Sequence, residues 1–434
     1  MSTATVAARP REDDEGPRAD GAHAVDPGRS GEPVLTRHLL TARGLQWIGG
    51  DRSPDPYALL LRGRPPESLT ARLWELPDVS RGALGAVVVA RHARAAAALA
   101  DPRLVPLPPE GPGSVRPVTL ADAPRGLGPV FAPAPELLAV PAPDAEVPAA
   151  EVPASEVPGG HDAGDPAVRE AADRALTAVL DSVRPAGNGE LELVTAVLEP
   201  VARAVTDPAD RRTPREWAAL GGLLDGYLCP PRISDARRQT AAVARLREET
   251  GGDPDRIRAE LLRALTLWAS VNLAGYTVAL LLAEDRRWRR AGSGDERWLR
   301  AAVAEAVRLA PPVRVESRYA REPLEWDGLS VGPGEQVVVV THAAARDPRV
   351  FADPAEFRPD RELPSGAPAV PLGGPAAVVL PTARAVAAAV AAGLARRCPG
   401  LRPAGPPVPR ARAVVTGALA ALPVQLRAQA RPGG

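Results

Sequence analysis

The sequence predicts a mainly α fold of the α+β kind, a large helix-dominated domain with a small antiparallel β meander. Three observations carry this. From Pro166 onward, most segments repeat apolar residues at helical spacing. One block, LEWDGLSVGPGEQVVVVT (Leu324–Thr341), switches to alternation and is broken by Asp327-Gly328 and Gly332-Pro333-Gly334, the punctuation of a hairpin or meander. Ala264–Ala283 has no charged residue at all. A helix that is apolar all round is expected at the centre of a large domain. Thr266, Ser270, Asn272, Gly275, Tyr276 and Thr277 dilute its apolarity, and arginines flank it on both sides without asymmetry, so a buried core helix is predicted rather than a membrane span.

Along the chain, residues 1–33 are rich in Gly, Pro, Asp, Glu and Arg and read as a disordered tail, since they offer little apolar surface to offset the entropy of ordering. Residues 34–434 read as a single domain. Ala86–Ala90 is a strand, and His92–Ala100 a helix that stops at Asp101-Pro102. A proline-rich spacer follows over about 106–165, in which AEVPAAEVPASEVP (Ala145–Pro158) repeats Glu-Val-Pro every five residues, a frequency of proline that excludes helix and central strand. PAVREAADRALTAVLDSV opens a helix with proline at its first position, and LELVTAVLEPVARAV reads as the next helix. Long helices are expected at Arg256–Arg286 and Glu296–Ala310, a last helix at Ala383–Arg397, and a short C-terminal strand in ALPVQLRA.

Composition narrows the function classes. Fifty-three basic residues, all arginine, balance 53 acidic ones, so no charge excess points to nucleic acid. The first residues have no apolar stretch behind a basic one, which predicts no export and a cytoplasmic protein without membrane attachment. Cys229 and Cys398 stand far apart without metal-type spacing.

Glu305 and Arg308 lie three apart in AEAVRLAPPV and leave the same helix face. Downstream, Phe357, Pro359 and Arg361 form a Phe-x-Pro-x-Arg pattern that brings a second arginine within reach of Glu305. In this order, with the alternating block between, the segment resembles the C-terminal half of a cytochrome P-450, in which the Glu-x-x-Arg helix and the later arginine lock the core. The resemblance extends to LGAVVVARHARAAAALADPRL, to the Ala264–Ala283 helix as the long helix over the haem, and to the C-terminal segment from Arg396. It makes Glu305, Arg308 and Arg361 structural.

The family's haem loop is degenerate. Matching Gly373, Gly374 and Pro375 on one side and Ala383-Arg384 on the other, with one residue deleted, puts Val378 at the place of the family's axial cysteine, with Ala376 where a polar residue is common and Leu380 where its second glycine stands. Neighbouring Ala377 and Val379 have no donor atom either. Cys398 falls near the end of the last helix, and Cys229 lies far upstream. The long helix offers Thr277 without a preceding acid, Ala274-Gly275 is out of frame, and the propionate-binding His-x-x-x-Arg helix has no counterpart. Of the five histidines, His23 and His38 are N-terminal, His161 is in the spacer, and His92 and His342 lie outside the loop. The resemblance therefore implies no catalytic, cofactor-binding or metal-ligating residues, no cofactor, and no enzymatic activity.

Leu40–Leu61, LTARGLQWIGGDRSPDPYALLL, resembles the N-terminal segment of the cysteine-lacking P-450-like auxiliary proteins of actinomycete antibiotic clusters. That implies a non-catalytic activator of a nucleotide-deoxysugar glycosyltransferase in macrolide or anthracycline-type biosynthesis, with the glycosyltransferase as partner. Trp47 and Tyr57 read equally as aromatic anchors of a segment packed on the core. The alternatives are a haem monooxygenase with an atypical ligand and a small-molecule carrier using the emptied haem pocket.

Overall fold

The computed structural model describes residues 55–106, 166–183, 189–209, 211–229, 231–362 and 370–426, with Leu40 and Gly44. The expected tail, Trp47, His23, His38, His161 and the Glu-Val-Pro spacer lie outside the described residues.

Helix α1 (Pro56–Leu61) begins where the Asp55 carboxylate accepts from the Tyr57 amide, and α2 spans Thr70–Glu75. Strands β1 (Val79–Arg81) and β2 (Val87–Val89) pair antiparallel, then α3 (His92–Ala100) leads to β3 (Leu104–Val105). Helix α4 (Pro166–Ser182) has proline first, as its sequence requires.

The next segment departs from the expected single helix. Glu190–Glu192 is a strand, β4; Val194–Leu198 is a π turn; and only Glu199–Thr206 is α-helix, α5. The Glu192 carboxylate accepts from the Val194 and Thr195 amides and so starts the turn, while β4 pairs with a strand more than 200 residues away. Helices α6 (Pro214–Gly221, opened by a Thr213–Glu216 capping box), α7 (Leu223–Leu228) and α8 (Ile233–Glu249) follow.

The long helix α9 runs Pro254–Leu282, capped by Asp253, whose carboxylate accepts from the Asp255 and Arg256 amides. Helix α10 (Asp285–Ala291) precedes α11 (Glu296–Leu309), which starts under the Asp295 cap. Strands β5 (Glu316–Ala320), β6 (Leu324–Trp326), β7 (Leu329–Val331) and β8 (Gln336–Val339) come next, then α12 (Thr341–Ala344). Helix α13 (Gly374–Arg397) and strands β9 (Leu401–Pro403), β10 (Val408–Pro409), β11 (Leu419–Ala421) and β12 (Pro423–Leu426) complete the chain.

The expected turn at Asp327-Gly328 forms with both residues at positive φ, 51° and 82°, which fits a two-residue hairpin between β6 and β7. The third strand of the alternating block leaves that hairpin, because β8 pairs parallel with β2 and antiparallel with β5 in a five-stranded sheet of order β1-β2-β8-β5-β3. Both faces of that sheet are covered. Val88 and Val338 join the large helical core, while Val87, Val89, Val337 and Val339 join a second cluster with Ala95, Ala98 and Leu104. That is why these strands read as unbroken valine runs.

Helices α9 and α13 pack along each other and on α4 and α5, which makes the main core. Both are long and apolar enough to cross a bilayer, but 78% and 67% of their most apolar stretches are buried inside the domain, as expected of core helices. Helix α13 starts at Gly374, nine residues before the expected Ala383. Pro381 sits inside it on an exposed face, where the loss of one backbone hydrogen bond does not break the helix.

Candidate functional site

The loop that the sequence singled out enters α13 at Gly373, and the residues there line an open cleft with about 500 Å³ of empty space, solvent included. Its walls are Leu224 and Leu228 of α7, Val313 and Val315 after α11, Pro375 and Ala376 of α13, and Val415. One edge is polar. Arg318 donates to Glu316 at 2.7 Å, and the Gly373 amide donates to the other Glu316 oxygen at 3.0 Å. Burial outweighs both contacts and holds the Glu316 carboxyl above the ordinary range. A side chain at Gly373 would meet the Arg318 guanidinium at 2.7 Å and would have to displace it.

Val378 is not at the pocket. Helix α13 is already in its second turn at that residue, and 43% of the side chain is exposed on the outer face. The residues of this segment that line the pocket are Gly373, Pro375 and Ala376. Leu380 is half-buried further along the same helix.

The residues present do not fit a haem iron. No side chain of α13 facing the pocket has a donor atom, and the one carboxylate at its edge is committed to Arg318 and Gly373. Cys398 caps the far end of α13, 24 residues or about 36 Å from Gly374, and burial pushes its thiol up. Cys229 is buried at the end of α7, outside the pocket wall. His92 packs edge-on against Phe351. His342 is buried with Arg346 2.9 Å from its Nδ1, and burial together with Arg346, Arg314 and Arg308 drives its pKa far below the ordinary value, so it stays neutral. Among the described residues no cluster of three or more His, Cys, Asp or Glu is arranged to hold a metal ion.

A segment that sequence reasoning missed closes the pocket's other side. Residues Val414–Leu419 are tied to three elements. Asp225 of α7 accepts from the Val415 amide (2.9 Å), the Thr416 amide (2.9 Å) and the Thr416 hydroxyl (2.6 Å). Asn272 of α9 accepts from the Leu419 amide at 3.0 Å, and the Tyr276 hydroxyl donates to the Gly417 carbonyl at 3.1 Å. The Arg314 amide donates to Val415, and its guanidinium lies 5.0 Å over the Tyr276 ring. Leu419 itself packs on Gly275, where any side chain would come within 2.5 Å of its Cδ1. The one signal in the sequence was Asn272, a lone amide in an otherwise apolar stretch of helix. Close by, Thr277 is fully buried, and its hydroxyl has no hydrogen-bond partner.

The expected charge network is present. Arg308 donates to both Glu305 oxygens at 2.8 Å, and Arg361 donates to Glu305 at 3.1 Å. Arg308 also donates to the carbonyls of Ala345, Pro354 and Glu356, and the Arg358 amide reaches Glu305 at 3.1 Å. The network therefore fastens the loop of residues 345–361 to α11.

The sequence description of the family Cytochrome P450 matches residues 297–369, the stretch that holds this network. Protein AknT of Streptomyces galilaeus is 34% identical over 431 residues, covering 90% of this chain and 95% of AknT. The Cytochrome P450 family protein EryCII of Saccharopolyspora erythraea is 32% identical, covering 90% of this chain and 98% of its own length. Among solved structures, P450BioI in complex with an acyl-ligated Acyl Carrier Protein superposes with a TM-score of 0.63 at 19% identity, over 83% of this chain and 98% of that one, which shows the shared fold. With its buried Glu305–Arg308–Arg361 network kept and its α13 start bare of any ligand for iron, this chain belongs to the cytochrome P450 family.

Proposed function

We propose that the protein is a non-catalytic activator that binds a nucleotide-deoxysugar glycosyltransferase of secondary-metabolite biosynthesis in the cytoplasm and stabilises its active conformation. The observation that carries this reading is the combination of an intact family core with a pocket whose α13 wall is Gly373, Pro375 and Ala376, residues without a nucleophile, base or metal ligand. Function then rests on surface rather than on chemistry in the pocket. The resemblance of the N-terminal segment to cysteine-lacking auxiliary proteins supports the choice of partner, as does similarity over most of the chain to AknT and EryCII. Of that segment, Pro56–Leu61 is helix α1, and Tyr57 is a buried anchor whose hydroxyl donates to Gln336 at 2.8 Å.

An activator must bind the active partner more tightly than the inactive one, and a hundredfold preference corresponds to about 2.7 kcal/mol. A glycosyltransferase encoded beside this chain is expected to be weakly active or insoluble alone, and to gain turnover and co-elute when both are expressed. Equal turnover without this protein, with no co-elution, overturns the reading in favour of a carrier that uses the apolar pocket.

A further inference from the structure

One end of the molecule concentrates arginine. The C-terminal ends of α10 and α13 meet there, with the Trp288 indole donating to the Cys398 carbonyl at 3.2 Å and Gly292 abutting the backbone of Ala395. The start of α11 joins them through the Arg290–Asp295 pair at 2.8 Å. Arg286, Arg289, Arg297, Arg300, Arg396 and Arg397 stand on this end, all but the half-buried Arg300 exposed. Arg286, Arg289, Arg297 and Arg300 form no ion pair with a described residue.

Cations at the C-terminal ends of α10 and α13 are expected, because they complement the helix dipoles. Arg297 and Arg300 occupy the first turns of α11, the positive end of that helix, where the nearest carboxylates, Asp295 and Glu296, are already paired with Arg290 and Arg169.

The sequence holds an acidic stretch directly before α4. Residues 126–165 carry seven carboxylates, at Glu136, Asp144, Glu146, Glu151, Glu156, Asp162 and Asp165, and no arginine. Because the whole chain balances 53 against 53, the rest of the protein holds the complementary excess of arginine. The stretch ends at Asp165, directly before α4, and within the first turn of α4 Arg169 pairs with Glu296 of α11 at 2.6 Å. Arg396 of α13 in turn reaches Asp173 of α4 at 3.7 Å. Glu156 is nine residues from Asp165, a reach of at most roughly 30 Å.

We propose that this arginine face is the docking site of the chain's own acidic stretch, residues 136–165, held by charge in the same molecule. Tethering beside the face gives the stretch an effective concentration on the order of millimolar, so individually weak pairs suffice. The proposal is independent of the glycosyltransferase reading.

Cleavage of the intact protein by a glutamate-specific protease tests it. At about 20 mM salt, cutting after Glu146, Glu151 and Glu156 is expected to be roughly tenfold slower than at about 500 mM, where screening shortens to a few ångströms. Cutting after Glu12 and Glu15 serves as the internal reference for the protease itself. The variant Arg286→Gln/Arg289→Gln/Arg297→Gln changes exposed residues without ion pairs, keeps the wild-type melting temperature, and loses the protection at low salt. A relative rate that is the same at both salt concentrations overturns the proposal, as does a folded variant as protected as the wild type. Protection that weakens on dilution assigns the face to the acidic stretch of a second copy and overturns docking within one chain. Should the variant misfold, the salt dependence of the wild type alone decides.

Discussion

Arg308 holds both oxygens of Glu305, each at 2.8 Å, and neither side chain reaches solvent beyond a few per cent. Removing the carboxylate leaves Arg308 and Arg361 buried without their partner, which costs about 3–5 kcal/mol. Glu305→Ala is therefore expected to give a large fall in melting temperature and poor soluble yield, measured by thermal unfolding. An unchanged melting temperature refutes the buried network.

Val378 points outward while the pocket is lined by Pro375 and Ala376. Val378→Cys is expected to react with a maleimide quickly in the folded protein, adding about one label per chain over the wild type. The same variant is expected to show no Soret band after expression with a haem precursor. A stoichiometric Soret band contradicts the placement of this residue.

Burial pushes the Asp225 carboxyl up to about 6, against the hydrogen bonds from Thr416 and Val415 that favour its charged form. A folded-state pKa above the unfolded value means that the contribution is fully present below about pH 4 and is lost as pH rises through 6, a swing on the order of 3 kcal/mol. Asp225→Asn does not titrate. Its unfolding free energy relative to wild type is expected to improve between pH 4.5 and 7.5, as measured by urea denaturation at both values. A difference independent of pH rules out titration at this residue.

Gly275 leaves room for Leu419, and a methyl group there would come within 2.5 Å of the leucine and 3.2 Å of Leu198. Gly275→Ala is expected to cost about 1–3 kcal/mol by overpacking. Shortening the opposing side chain in Gly275→Ala/Leu419→Val is expected to recover part of that loss, a coupling measurable as a double-mutant cycle. Simple additivity of the two changes shows that they do not share the contact.

The elements that sequence located well are those whose signal is local. Helix α9 starts two residues from the expected position, α11 within one of its expected ends, and His92–Ala100 matches outright, because caps and apolar period lie in the same few residues. Glu305, Arg308 and Arg361 were legible because two of them share a helix face and the third comes in a spaced pattern. What was missed depends on distant partners. Leu191 and Glu192 have helical spacing but pair with Val424 and Pro423, and β8 leaves its own hairpin for β2, some 250 residues earlier in the chain. The start of α13 was obscured by Pro381, which reads as a breaker in sequence but sits at an exposed position inside the helix. Asp225 gave no sign of its role, since its acceptors' partners are backbone amides of a loop 190 residues on.

The fastening of Val414–Leu419 to α7 and α9, together with the pairing of β12 with β4, bears on how the protein is made. Leu419, Leu422 and Val424 are core residues that leave the ribosome after nearly everything they pack against. The domain cannot close during synthesis until Leu426 has emerged. Chains cut off even a dozen residues before that point expose the apolar side of α9 at Gly275 and are expected to be drawn into aggregates or degraded.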